Sequence, residues 1–297
     1  MRRGRWGGIA AALVIAAVTA VTAGCGGGGS ALALDPVAAA ATKTQQAGAA
    51  HVHFSVAFSG PRTHGKTQHL RGAGVVDGTT SELTFGLGGL GLGGLGPAGQ
   101  SFLPATDKNP SVKVISLEQN GDYVVYAQSA LLSGQLPGGQ HWVELDLSKL
   151  AQAKGIDLGT LLSASQVQPG DILSMLEAEG AKVQKLGPDT VAGVATTRYR
   201  VTLDIAKALQ TKGLNDPLLK RMAAKAPNVP LNVWIGKDGL VHRVQASFAQ
   251  THNGVPAHVG LTVDVSDYGT DATIAAPPSD DVFDATQLAQ SFGGYSN

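Results

Sequence analysis

Between residues 51 and 58 the chain alternates strictly: Val52, Phe54, Val56 and Phe58 on one parity, His51, His53, Ser55 and Ala57 on the other. The pattern returns near the far end, where Val259, Leu261, Val263 and Val265 alternate with Gly260, Thr262, Asp264 and Ser266. A strand points successive side chains to opposite faces, so each stretch is a strand with one apolar and one polar face. Such a strand is stable only when its apolar side is covered, which commits the chain to a sheet backed by other elements.

More strands follow from the same reading, at 70–77, 80–85, 112–118, 123–128, 142–147, 182–186, 196–203, 230–235, 240–250 and 257–267. Turn residues separate many of them: Asp77-Gly78, Asn120-Gly121, Ala192-Gly193, Lys237-Asp238-Gly239 and Asn253-Gly254. Helical signals open at Asp35-Pro36, where Asp serves as cap and Pro as first helical residue, and run to about Gly48. They return through 147–164, 169–179, 205–212 and 217–225. Ile172, Met175 and Leu176 lie at helical spacing in the second of these, with Gly180 as its stop. Strands, a helical middle and strands again, joined mostly by hairpins, predict an α+β fold: one continuous antiparallel sheet with helices on one face.

The N-terminus sets the compartment. Arg2, Arg3 and Arg5 precede an uncharged run from Ile9 to Val21, thirteen residues long. A membrane-spanning helix needs about 20 residues, so this run fits a secretory signal better than an anchor. Thr22-Ala23-Gly24 then leads to Cys25, the only cysteine of the 297 residues. The segment resembles the lipobox of bacterial lipoproteins, with Thr22 in place of the usual leucine. That resemblance implies cleavage before Cys25 and a diacylglyceryl thioether on it. Lipidation also removes an oddity, an exported chain with one unpaired thiol. Residues 1–24 are then the signal peptide and 25–34, beginning Cys-Gly-Gly-Gly-Gly-Ser, a tether. Nine flexible residues span about 15–18 Å, so the folded body hangs close to its bilayer.

Composition excludes several functions. Twenty-two Lys and Arg balance 22 Asp and Glu, and loss of the signal's three arginines leaves the mature chain slightly acidic. Nucleic acid is no partner for such a chain, because binding it needs a basic stripe. With its single cysteine in the lipobox, the chain can build neither thiol catalysis nor a Cys-rich zinc site. No nucleophile elbow and no H-E-x-x-H helix occur. GLGGLG appears twice in residues 86–96, the copies sharing Gly91, and matches a dinucleotide fingerprint. Pro97 and Gly99 follow where a helix is required, so no cofactor is expected. The segment reads instead as a loop, with Leu87, Leu90, Leu92 and Leu95 as candidates for a greasy lip at a cavity mouth. His51, His53, His64 and His69, and likewise His242, His252 and His258, read as solvated positions on strands and turns rather than metal ligands.

Several segments together resemble the LppX/LprG group of actinobacterial lipoproteins, whose fold is like that of the carrier LolA. They are HVHFSVAF, HWVELDLSKL, GAKVQKLGPDTVAGVATTRYRVTLDIAKAL and VPLNVWIGKDGLVHRVQASF. Gly236 departs from the pattern, in which an acidic residue often follows the Trp-Ile pair. The resemblance implies a half-barrel, one strongly curved antiparallel sheet with helices on its concave face, over residues 35–280. Residues 281–297 are then a C-terminal tail. It also implies an apolar cavity for the acyl chains of a lipid or glycolipid. Val52, Phe54, Val56, Phe58, Val244, Phe248, Leu261 and Val263 on strands, Ile172, Met175 and Leu176 on a helix, and the four loop leucines are the candidate wall. The function expected is lipid binding or transport at the outer face of the plasma membrane, without covalent chemistry, with an envelope lipid transporter as a further partner. The alternative is an extracytoplasmic protein-interaction or sensor module on the same fold.

Overall fold

The computed structural model describes residues 36–60, 66–88, 110–119, 121–130, 136–152, 183–204, 228–252 and 255–293. Twelve strands form one sheet: β1 Ala50–Ser59, β2 Gln68–Asp77, β3 Thr80–Gly86, β4 Ser111–Gln119, β5 Asp122–Ser129, β6 Trp142–Asp146, β7 Val183–Val191, β8 Val194–Asp204, β9 Asn228–Gly236, β10 Val241–His252, β11 Val255–Ser266 and β12 Val282–Asp284. Their spatial order is β12-β6-β5-β4-β3-β2-β1-β11-β10-β9-β8-β7. Every neighbouring pair is antiparallel except β12, which lies parallel to β6. The two most clearly alternating stretches of the sequence are central partners, with Phe54 opposite Val263 and Val52 opposite Val265.

Register carries one face across the sheet. Phe85, Gly72, Phe54, Val263, Val244, Val233 and Tyr199 stand opposite one another on β3, β2, β1, β11, β10, β9 and β8. We call this the inner face, because the helices lie on it. Helix α1, Pro36–Gln46, sets Ala40 among Val201, Val233, Ile235 and Val241. Ala-rich sequence suits that place, because small side chains let a helix approach a sheet closely. Helix α2, Leu147–Gln152, places Leu147 against the inner-face cluster of Val114, Tyr123 and Val125. Helix α3, Thr286–Gly293, packs on α2 and β6.

The sheet is curved and open, and two glycines mark where its strands crowd. A Cβ on Gly74 would lie 1.9 Å from the Glu82 carbonyl oxygen, and one on Gly72 would lie 2.4 Å from the Phe54 ring. Both sit on the inner face of β2, where absent side chains admit the aromatic ring and the neighbouring backbone.

Several strand ends move by a residue or two, β7 runs on to Val191 rather than 186, and two further expectations shift. Strand β6 ends at Asp146 rather than 147, because Asp146 turns the chain into α2 by accepting the Lys149 N–H at 2.9 Å. Beyond residue 280, where the sequence reading begins a tail, β12 and α3 extend the fold. Asp284 caps α3 through the Thr286 N–H at 2.8 Å, and Thr286 Oγ1 accepts the buried Asp146 N–H at 3.0 Å.

Candidate functional site

The inner face is graded. Around the first residues of β1 it is sealed: Val52, Val76, Val263 and Val265 are each no more than 2% exposed. Phe54 lies next along, 4% exposed, with its ring edge-on to Phe85 at 6.4 Å between centroids. Toward the other end of the same strands the face opens. Val56 and Leu70 are still buried, whereas Phe58, Val259, Leu261, Ala246 and Leu231 are only partly buried, as Val244 and Phe85 already are one row back. Those five, set on β1, β11, β10 and β9, make an apolar surface without a charged group. What it does chemically is limited to taking apolar surface out of water, at about 25 cal/mol per Å².

The predicted wall residues divide accordingly. Val52, Phe54, Val56, Phe58, Val244, Leu261 and Val263 share the inner face. Phe248 is placed on β10 opposite Val259 of that same face, but its side chain is outside the described residues. Leu87 stands half-buried at the foot of its loop, its N–H donating to the Pro110 carbonyl at 2.7 Å. Leu90, Leu92, Leu95, Ile172, Met175, Leu176 and Cys25 lie outside the described residues, as do the signal and the tether. Sequence reasoning passed over Phe85 and Leu231. Both were legible as inner-face positions once Leu83 and Val233 were given their parity.

The outer face differs between the two halves of the sheet. On β1, β11 and β10 it carries Ser55, Thr262 and Gln245. Here a depression of about 450 Å³ lies at the strand ends, lined by Ala57, Ser59, Ser247, His258 and Gly260 together with Phe58 and Val259. On β4 to β6 the outer face is apolar instead: Ile115, Leu117, Val124, Tyr126 and Trp142 are buried under Ile274 and Val282. Trp142, and Trp234 on the opposite parity of β9 to Val233, therefore both lie on the outer face. Trp234 is buried between Arg198, 4.9 Å from its ring centroid, and Arg243, 5.8 Å away. Its indole N–H donates to Asp189 at 2.8 Å, and that bond holds the Asp189 carboxyl below its usual range. Arg243 in turn forms a two-point pair with Asp264, which raises the guanidinium further. The network locks β7, β8, β9, β10 and β11 side by side.

Gly236 now has a reason. A Cβ there would lie 2.4 Å from Asp238 Oδ1 and 2.7 Å from His242 Nε2. The space a side chain at 236 would need is filled by the Asp238–His242 pair, 2.9 Å apart. Among the described residues no group of three or more His, Cys, Asp or Glu side chains is placed to hold a metal ion. No described helix is long and apolar enough to cross a membrane.

No family model matches the chain. It is 28% identical over 167 residues to an uncharacterized 31.2 kDa protein from the rplA–rplJ intergenic region of Streptomyces griseus, and the match covers 52% of each chain. The chain thus spans about half the length of that relative. Among solved structures it is similar to LprF from Mycobacterium bovis, at 13% identity and TM-score 0.35, over 77% of this chain and 89% of that one. It is similar to the lipoprotein LppX of Mycobacterium tuberculosis, at 15% identity and TM-score 0.34, over 81% and 100%. A LolA superfamily protein of Nitrosomonas europaea follows, at 11% identity and TM-score 0.23, over 77% and 90%. The structural neighbours are LppX-type lipoproteins and LolA-superfamily proteins. At these identities the fold itself rests on the strand order and register of this chain.

Proposed function

We propose that this protein binds or carries a lipid in the cell envelope, sheltering acyl chains against the inner face of its sheet while an acylated Cys25 holds it to the outer face of the plasma membrane. The observation that carries the reading is the grading of that face, sealed at Val52, Val76 and Val265 and only partly buried at Phe58, Val259 and Leu261. Each methylene moved from water onto such a surface is worth about 0.8 kcal/mol, so a long chain gains from every strand it crosses. No covalent chemistry enters. The neighbours LppX and LprF are consistent with the reading but do not carry it. A glycolipid ligand and a transporter that delivers or receives it belong to the same proposal.

Native mass spectrometry of the full chain purified from its own membranes is the test. A co-purifying lipid mass, and protein-dependent movement of a fluorescent acyl lipid between vesicles, are the expected results. A clean protein mass with no movement of the probe overturns the reading in favour of a protein-interaction module. The anchor is checked separately. The mass of the mature N-terminus should carry a diacylglyceryl group on Cys25, and Cys25→Ser should shift the protein from the membrane to the soluble fraction. An unmodified cysteine defeats the anchoring.

A further inference from the structure

The strands give the sheet two unlike ends. The turns at 77–80, 191–194 and 236–241 lie at one, the sealed end, where β1 also begins and β11 finishes. At the other end β1 finishes at Ser59, β2 begins at Gln68 and β9 at Asn228, and β10 and β11 meet at His252 and Val255. Phe58, Val259, Leu261, Ala246 and Leu231 are only partly buried toward this open end. The depression lined by Ser59, Thr67, Ser247 and His258 lies at the same place. Charge divides along the same axis. Asp77, Asp122, Asp238 and Asp267 stand in or beside the turns of the sealed end, with Glu118 close by, against Lys43 and Lys237. Toward the open end, residues 54–59, 66–72, 245–252 and 255–262 include Lys66 and Arg71 but no Asp or Glu. Asp280 and Asp281 lie apart, at the β6 edge of the sheet.

Helix α1 runs between the two ends. Its last turn is fixed at the sealed end, where Thr44 Oγ1 accepts the Val241 N–H at 2.9 Å and Lys43 donates to the Asp238 carbonyl. Ala40 lies among Val201 and Val233, and Val37 packs on the cluster that Leu231 and Val183 also join. Pro36 comes eight residues before Thr44, about 12 Å back along the axis toward the open end, and it is exposed. Residues 25–35 precede it and lie outside the described residues. We infer that the open end of the sheet is a docking surface for an anionic bilayer, set against the outer leaflet with the acidic turns pointing away. This orientation rests on the acylated Cys25 proposed above. A run with the composition of residues 26–34 spans about 15–18 Å, which brings the open end to the headgroups. The opposite orientation takes the tether back along α1, about 16 Å for its eleven residues, and so takes up most of that span. It also sets Asp77, Asp122, Asp238 and Asp267 against anionic lipid, at distances shorter than the Debye length of about 10 Å. Partly buried apolar side chains meet the acyl boundary in the first orientation and water in the second. With the open end down, an acyl chain passes from the leaflet to the inner face without crossing water.

Cys25 is the only cysteine, and acylation blocks it, so a cysteine introduced elsewhere takes a fluorophore alone. Thr67→Cys places an exposed label at the open end and Lys237→Cys an exposed label at the sealed end. The test uses the full acylated chain in vesicles of phosphatidylcholine and phosphatidylglycerol that carry a lipid-borne quencher at headgroup depth. A ten-residue strand sets the two ends about 33 Å apart, so quenching at 67 should exceed quenching at 237 at least about threefold. Equal quenching, or stronger quenching at 237, overturns the orientation. A label at 67 shielded from lipid-borne and aqueous quenchers alike marks an end covered by a second copy or by this chain's own connections, and overturns it too. Should either label disturb folding, His69→Cys and Asp77→Cys, both exposed, repeat the comparison along β2. Flotation of the same vesicles reads the anchor separately. A chain that floats with equal quenching keeps the anchor and ends the orientation, whereas a chain that does not float ends both.

Discussion

Single atoms decide two features of the sheet. Gly74 faces the Glu82 carbonyl so closely that a methyl group would sit 1.9 Å from it. Gly74→Ala should therefore cost at least the about 1–3 kcal/mol typical of an overpacked core, read as a lower midpoint in urea, whereas Gly78→Ala meets no neighbour and strains only its own turn. Asp146 decides the second. Its side chain is nearly buried and pairs with Lys149 Nζ at 2.7 Å. Burial alone would raise its carboxyl, but the side-chain and backbone hydrogen bonds from Lys149 outweigh burial and hold it below the usual value. A carboxyl lowered on folding stabilises above its unfolded pKa, about 3.9, and that contribution is lost as pH falls through the lower folded value. Asp146→Asn should thus be less stable than wild type at pH 7, and the gap should shrink toward pH 3 in denaturant titrations. The glycine at 74 was readable as a residue but not as a contact, since nothing local announces that Glu82 is its neighbour.

Elements were legible to the degree that their two faces differ. β1 and β11 alternate cleanly because their outer faces carry Ser55 and Thr262 while their inner faces are buried. β5 does not alternate: Tyr123, Val124, Val125 and Tyr126 are all buried, one pair under Leu147 of α2 and the other under Ile274 and Val282. A doubly covered strand loses the period that identifies a face, so sequence gave its existence without its sidedness. β7, at the open end, shows how an edge is managed. A bulge between Lys185 and Gly187, with Gly187 at φ +121°, precedes Pro188, which has no N–H to offer another strand. β12 and α3 were missed for a different reason. Three strand residues and eight helical ones carry too short a period, and their place depends on Thr286 reaching Asp146. Thr286→Val should leave the buried Asp146 N–H unpaired and cost about 1–3 kcal/mol, measured by urea unfolding, with α3 exchanging faster.

At the scale of the molecule, the inner face serves as core at one end and as accessible apolar surface at the other, and mutations should separate the two. Phe54→Ala, at the sealed end, should lose about 3–5 kcal/mol of stability. Phe58→Ser, at the half-exposed end, should lose much less stability and yet weaken binding of a fluorescent acyl probe at least severalfold. Equal effects of the two on stability, with no effect of Phe58→Ser on the probe, would mean that the face is core throughout. The sequence by itself determined most of the strands, the parity of β1 and β11, the place of the single cysteine after an apolar run and the absence of recognisable catalytic motifs, because periodicity, turn residues and composition are local properties. Only the tertiary structure decided that β1 and β11 meet at the centre, that Trp142 is buried under Ile274 and Val282, and that Gly236 makes room for Asp238 and His242. Those are pairings between residues far apart in the chain, and register across a curved sheet is set by packing that no single segment contains.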